Sequence, residues 1–348
     1  MNNNNVSSEH PAPPEAMPWH QTALTDLLTQ RDRLPHALLL TGPAGTGLSQ
    51  FGQALAGALL CETPQTAGSP GCGRCAACGW MAAGSHPDFR ALNRMVDDDG
   101  KESAEIKVEQ FRTLGDFFTV GAHRAGRRVV IIDPADALNT VTANALLKTL
   151  EEPGEGLLFI LISHRIDALP PTIRSRCQLY RLDGPDLDAA CAWIQGATGC
   201  SAQDAQTWLA MAGGAPLPAA HLAEPARAAA HRAMLETLAK LPDTAPVEVA
   251  DALQSFEPRL WLPLLQRWVM DLGRVKQGAA PRYFPQWSGR LQELAGRSDT
   301  DRLVKAGRVL AGQFRLVGHP LNPRLFCEES LGALANAFTP IASLERGR

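Results

Sequence analysis

Four of the chain's eight cysteines crowd into one short stretch, Cys61, Cys72, Cys75 and Cys78. This C-x10-C-x2-C-x2-C spacing on a glycine-rich turn can aim four sulfurs at one centre. Four thiolates satisfy the tetrahedral preference of Zn2+ and leave no position for a substrate, so the expected metal is structural. It would fix residues 61–79, an insertion too polar and glycine-rich to build a core alone. Free buried thiols and an iron–sulfur cluster are the competing readings. His86 follows closely, but four sulfurs already complete the shell, and it is expected to be a loop residue or cap. The other cysteines, Cys177, Cys191, Cys200 and Cys327, are dispersed, and small apolar packing accounts for them.

A second constellation is T-G-P-A-G-T-G-L-S, Thr41 to Ser49. It follows an apolar run and opens an amphipathic segment, the setting of a loop whose backbone N–H groups and helix N-terminus face a phosphate. Gly42, Gly45 and Gly47 would permit the turn, and Leu48 and Ser49 the entry into the helix. Leucine stands where a working loop carries lysine, and it can neither offset phosphate charge nor stabilise its redistribution during transfer. The bland alternative is a glycine-rich strand-to-helix turn.

The run R-V-V-I-I-D-P-A-D, Arg128 to Asp136, reads as a buried strand ending in Asp133. An aspartate there ordinarily holds the magnesium of a bound nucleotide, and a following glutamate ordinarily positions the attacking water. The following residue is Pro134. Two separate requirements for hydrolysis are missing from one scaffold, so no turnover by this chain is expected. Asp133 and Asp136 could bind a cation, or serve as a strand-end aspartate and a helix cap. A last element, L-P-P-T-I-R-S-R-C, places Ser175, Arg176 and Cys177 before a further strand; an arginine there is, by itself, a solvated charge.

The elements that must position these residues alternate. HALLLT, RVVIID, LLFILIS and CQLYRL read as strands, and LSQFGQALAGALLC and TANALLKTLEEP as helices, which implies a parallel sheet covered on both faces. Residues 1–18 lack periodicity and are expected to be a disordered leader, and the α/β domain spans 19–183. Beyond it only helical patterns remain. A small helical domain is placed at 184–220 and a second at 221–348, with GGAPLPAAHLAEPA as the linker. At 348 residues more than one core is expected, and a formal charge of −3 gives no global attraction to polyanions. Apolar runs such as Leu157 to Ile162 are too short to span a bilayer, and the N-terminus lacks the order of a secretion signal, so a cytoplasmic location is expected.

Four segments together carry a resemblance. G-P-A-G-T-G (Gly42 to Gly47), the four-cysteine insertion, A-N-A-L-L-K-T-L-E-E-P (Ala143 to Pro153) and S-R-C (Ser175 to Cys177) make residues 20–183 resemble bacterial clamp-loader subunits of the AAA+ superfamily. L-N-P-R-L at Leu321 to Leu325 is similar to a segment near the C-terminus of such subunits. The resemblance implies a P-loop AAA+ domain with a zinc insertion, a helical lid and an all-α collar, assembled in a five-subunit spiral. It implies that Arg176, within Ser175–Cys177, is an arginine finger acting in trans on a neighbour's ATP. Leu48, Pro134 and the arginine-free stretch Gly213 to Pro218 depart from the hydrolysing members, which points to a non-hydrolysing stator and casts doubt on ATP binding. The phosphate-sensing position falls at Ser163 or His164.

Implied partners are the tau/gamma and delta subunits and, through the complex, the sliding clamp (beta) and primed DNA, with association to the replisome and nucleoid and none to a membrane. Two other classes compete. An active AAA+ NTPase would need a substitute for the missing lysine. A zinc-dependent nucleic-acid module would use basic residues near Arg124, Arg127 and Arg128, against which stand the acidic balance and the lack of an aromatic-basic stripe.

Overall fold

The computed structural model describes residues 14–338 except 67, 98–101, 120, 125 and 318–321. The first thirteen residues of the expected leader, and Leu321 of the L-N-P-R-L segment, lie outside the described residues. Two compact units divide between Pro185 and Asp186. No helix among the described residues is long and apolar enough to cross a membrane.

The first unit runs α1 (Gln21–Thr29), β1 (Ala37–Thr41), α2 (Leu48–Leu60), α3 (Ala76–Ala82), β2 (Phe89–Asn93), α4 (Val108–Arg112), α5 (Gly115–Thr119), β3 (Arg128–Asp133), α6 (Thr140–Glu151), β4 (Leu157–Ser163), α7 (Pro171–Arg174) and β5 (Gln178–Arg181). The five strands form one sheet in the order β2-β3-β4-β1-β5, and every pairing is parallel. The central strands β1, β3 and β4 are covered on both faces, which is why they read as unbroken apolar runs. Successive residues still serve different sides: Leu38, Leu40, Ile160 and Ile162 pack with α1 and α2, whereas Leu39, Val130, Phe159 and Leu161 pack with α4 and α6. The last part of the expected leader belongs to this packing, since Ala16 and Met17 are buried.

The second unit is helical: α8 (Leu187–Thr198), α9 (Ala202–Met211), α10 (Pro216–Ala223), α11 (Pro225–Leu238), α12 (Pro246–Leu253), α13 (Pro258–Lys276), α14 (Ser288–Arg297), α15 (Thr300–Gln313) and α16 (Pro323–Ala335). The expected linker is instead largely helical. Its Pro- and Ala-rich sequence forms α10, because proline suits the first turn of a helix and alanine its interior. Ala219 and Ala223 share a single apolar cluster with Trp208, Trp261 and Trp268. Asp271, wholly buried on α13, accepts backbone N–H bonds from Arg282, Tyr283 and Phe284 at 2.7–2.8 Å and so ties the following loop to the helix. In the L-N-P-R-L segment the Asn322 side chain caps α16 and Pro323 opens it.

Candidate functional site

The glycine loop joins β1 to α2. Gly47 has φ +99°, a left-handed conformation that an L side chain rarely adopts, and a Cβ there would collide with Met17. At Gly42 a Cβ would sit 2.2 Å from the Leu182 carbonyl oxygen, so the loop lies flush against the chain leaving β5. Trp19 donates from its indole to the Thr46 carbonyl at 2.8 Å. Met17, from the expected leader, and Trp19, the first residue of the expected domain, thus buttress the loop together.

Leu48, at the lysine position, is 1% exposed. It begins the buried stripe of α2 that continues through Phe51, Leu55 and Leu59, at spacings that return to one helix face. The side chain at this position is a core residue. Ser49, the next residue, donates its hydroxyl to Asp133 Oδ2 at 2.5 Å. These are the two positions that share a magnesium ion in working phosphate-loop proteins, and here the side chains bond directly to each other. Burial pushes the Asp133 carboxyl above its ordinary range, and the Ser49 hydrogen bond opposes that shift.

Asp136 is not a helix cap, and that expectation is corrected. It accepts from Ser163 Oγ at 3.1 Å and from Arg165 Nε at 3.0 Å, while Asn139 caps α6. Ser163 is therefore buried and engaged, whereas His164 is exposed with Nδ1 3.3 Å from the Gly42 carbonyl oxygen.

The four clustered cysteines converge. Their sulfurs all lie within 4.8 Å of one another, with Cys61 and Cys75 at 3.9 Å and Cys72 and Cys78 at 4.0 Å. Metal–sulfur bonds of about 2.3 Å in a tetrahedron put the sulfurs about 3.8 Å apart, so the group can hold a metal ion. Backbone N–H groups of Cys72, Cys75 and Cys78 point at the sulfurs of Cys61, Cys72 and Cys75 at 3.3–3.4 Å, stabilising negative charge there. Hydrogen bonds from Thr63 and the backbone lower the Cys72 thiol to about 5, and burial pushes the Cys61 and Cys78 thiols up. Met81 of α3 anchors the insertion in the core on the α2 side of the sheet.

His86 stands apart from this cluster. It is buried, and its Nδ1 accepts the Asp88 N–H at 3.0 Å, a cap on the turn into β2. Cys177, Cys191 and Cys327 are buried and Cys200 half-buried; burial raises Cys177 to about 11 and Cys327 to about 12. The basic residues considered for phosphate contact are occupied internally. Arg128 is buried against the carbonyls of Phe117 and Glu155, and Arg127 donates to Arg31 O at 2.9 Å. Arg124 pairs with Glu62 at 3.3 Å and lies over Trp80.

Arg176 sits just past α7 at the surface. Its Nη1 donates to the Thr172 carbonyl at 3.1 Å and its Nη2 to Glu151 Oε1 at 2.6 Å. Leu150 and Cys177, the sequence neighbours of Glu151 and Arg176, both belong to the apolar cluster beneath the pair. Ser175 donates to Thr172 O at 3.1 Å and closes the same turn. Nothing in the sequence signalled Glu151, which lies 25 residues away on another helix.

The family model described as "DNA polymerase III, delta subunit" matches residues 20–186. A DNA polymerase III subunit delta' of Pseudomonas aeruginosa is 42% identical over 208 residues, 59% of this chain and 60% of that protein, so this match spans less than two thirds of the relative's length. The Yersinia pestis protein of the same name is 33% identical over 312 residues, 84% of this chain and 87% of the relative. Among solved structures, a DNA polymerase III gamma subunit-related protein of Thermotoga maritima is similar at a TM-score of 0.44 and 17% identity, over 90% of this chain and 99% of that one. With a third of the aligned residues identical along most of both chains, the protein belongs to the family of DNA polymerase III delta' subunits.

Proposed function

We propose that the chain is the non-hydrolysing stator of a DNA polymerase III clamp loader, which supplies Arg176 to the ATP of a neighbouring subunit and so helps place the sliding clamp on primed DNA. The observation that carries this reading is a displacement of charge: Leu48 is withdrawn into the core, while the Arg176 guanidinium remains at the surface. A guanidinium laid on the transferring phosphoryl group stabilises negative charge that spreads over its oxygens in the transition state. Ser175 and Cys177 serve it indirectly, Ser175 by closing the turn and Cys177 by anchoring it in the core.

In this reading α8 to α10 act as the lid and the helices from α11 onward as the collar that joins the tau/gamma and delta subunits. The four-cysteine site holds a structural Zn2+, whose positive charge keeps the thiolates together and fixes the insertion on α2. The phosphate loop Gly42–Ser49 serves as a scaffold, with Ser49 tied to Asp133.

Replacing Arg176 with alanine in the reconstituted complex tests the proposal. Hydrolysis at the adjacent site should fall by roughly a thousandfold, the scale of an arginine finger, with assembly intact. Unchanged turnover at that site would refute the assignment.

A further inference from the structure

Arg176 already has a partner in its own chain. Its Nη2 lies 2.6 Å from a Glu151 carboxylate oxygen and its Nη1 3.1 Å from the Thr172 carbonyl, so each terminal nitrogen makes one bond within the subunit. We propose that Glu151 is an electrostatic latch, a resting counter-ion that holds Arg176 back from a neighbour's nucleotide until assembly on clamp and DNA displaces it. The inference rests on the reading of Arg176 as a finger in trans and deepens it by naming how that finger is regulated.

Three features support a latch over a permanent brace. The Arg176 side chain is 36% exposed and that of Glu151 51%, so water screens the pair and its strength is small enough to be exchanged for a phosphate. The carboxylate sits on the nitrogen best placed to leave, because Nη1 is held against the α7 backbone. A phosphoryl oxygen approaching Nη2 also meets the negative charge of Glu151, so the arginine can serve a nucleotide fully only once the carboxylate has swung aside. Meanwhile Leu150 and Cys177, anchored in the same core cluster, keep both backbones fixed. The switch therefore needs only side-chain rotation.

The test is ATP turnover by the reconstituted complex, with and without clamp and primed DNA, for Glu151→Gln, Arg176→Ala and the double variant. Glu151→Gln should raise unstimulated turnover by about 1.4- to 5-fold, the range set by an exposed ion pair, and shrink the stimulation by clamp and DNA correspondingly. The double variant should match Arg176→Ala, because the latch acts only through the guanidinium. A fall or no change in the Glu151→Gln complex, or a rise that persists without Arg176, would overturn the latch. If instead Arg176→Ala leaves stimulated turnover intact, the finger itself is refuted, a result distinct from failure of the latch. Glu151→Ala should repeat the Gln result, which separates loss of charge from any new hydrogen bond.

Discussion

Replacing Leu48 with lysine restores the residue that a phosphate loop ordinarily carries, and the structure predicts that the change damages the protein without reviving hydrolysis. Leu48 is 1% exposed and heads the buried stripe of α2. Losing that apolar burial costs about 1.5–3 kcal/mol, equivalent to roughly 3–12 °C in the melting temperature of a unit this size. The ammonium group adds a second cost. Burial depresses a lysine pKa in the folded state, so the electrostatic penalty is complete below that lowered value and fades as pH rises toward the ordinary lysine value of about 10.4. Thermal unfolding followed by circular dichroism between pH 7 and pH 10 reads both effects: the deficit of Leu48→Lys relative to the parent should be largest at neutral pH and narrow with alkali. ATP turnover should stay at background, because Pro134 still occupies the position of the water-orienting carboxylate. A variant as stable as the parent at pH 7, or one that hydrolyses ATP, would show that the side chain faces the phosphate space rather than the core.

Elemental analysis of the purified protein should find about one zinc per chain, and Cys75→Ser should lose it and melt at lower temperature; a metal-free parent or an iron–sulfur absorption spectrum would contradict the assignment. Asp133→Asn should stabilise the protein at neutral pH while retaining an oxygen for the Ser49 hydroxyl. The sign follows from the raised carboxyl: its charged form is penalised above the folded-state pKa, and the penalty disappears as pH falls below the ordinary aspartate value, so the advantage of Asn should shrink on acidification. An Asn variant less stable than the parent at pH 7 would reverse this reasoning.

What could be read from the residues alone follows from where each signal resides. β1, β3 and β4 were legible because strands covered on both faces must be apolar throughout. β2 was not, since as an edge strand it reads F-R-A-L-N, with exposed polar positions and no apolar run. The convergence of the cysteines was legible because three of them lie within seven residues, Cys72 to Cys78, where local spacing nearly dictates geometry. The linker was misread because proline and alanine mark both a loop and a well-started helix, and only the burial of Ala219 and Ala223 separates the two. The absence of lysine at position 48 was plain, yet the fate of its replacement depended on the register of α2 against the sheet. Glu151 was beyond reach, as it lies 25 residues from Arg176 and the two meet only once the chain has folded.

In the proposed reading the useful positive charge of this protein serves a nucleotide other than its own. The most direct measurement is ATP turnover by the purified chain alone, compared with turnover by an ATPase partner as the chain is titrated in, using both the parent and Arg176→Ala. The chain alone should show background activity, added parent should raise the partner's rate, and the variant should produce no such rise. Hydrolysis by the isolated chain, or equal activation by Arg176→Ala, would contradict it.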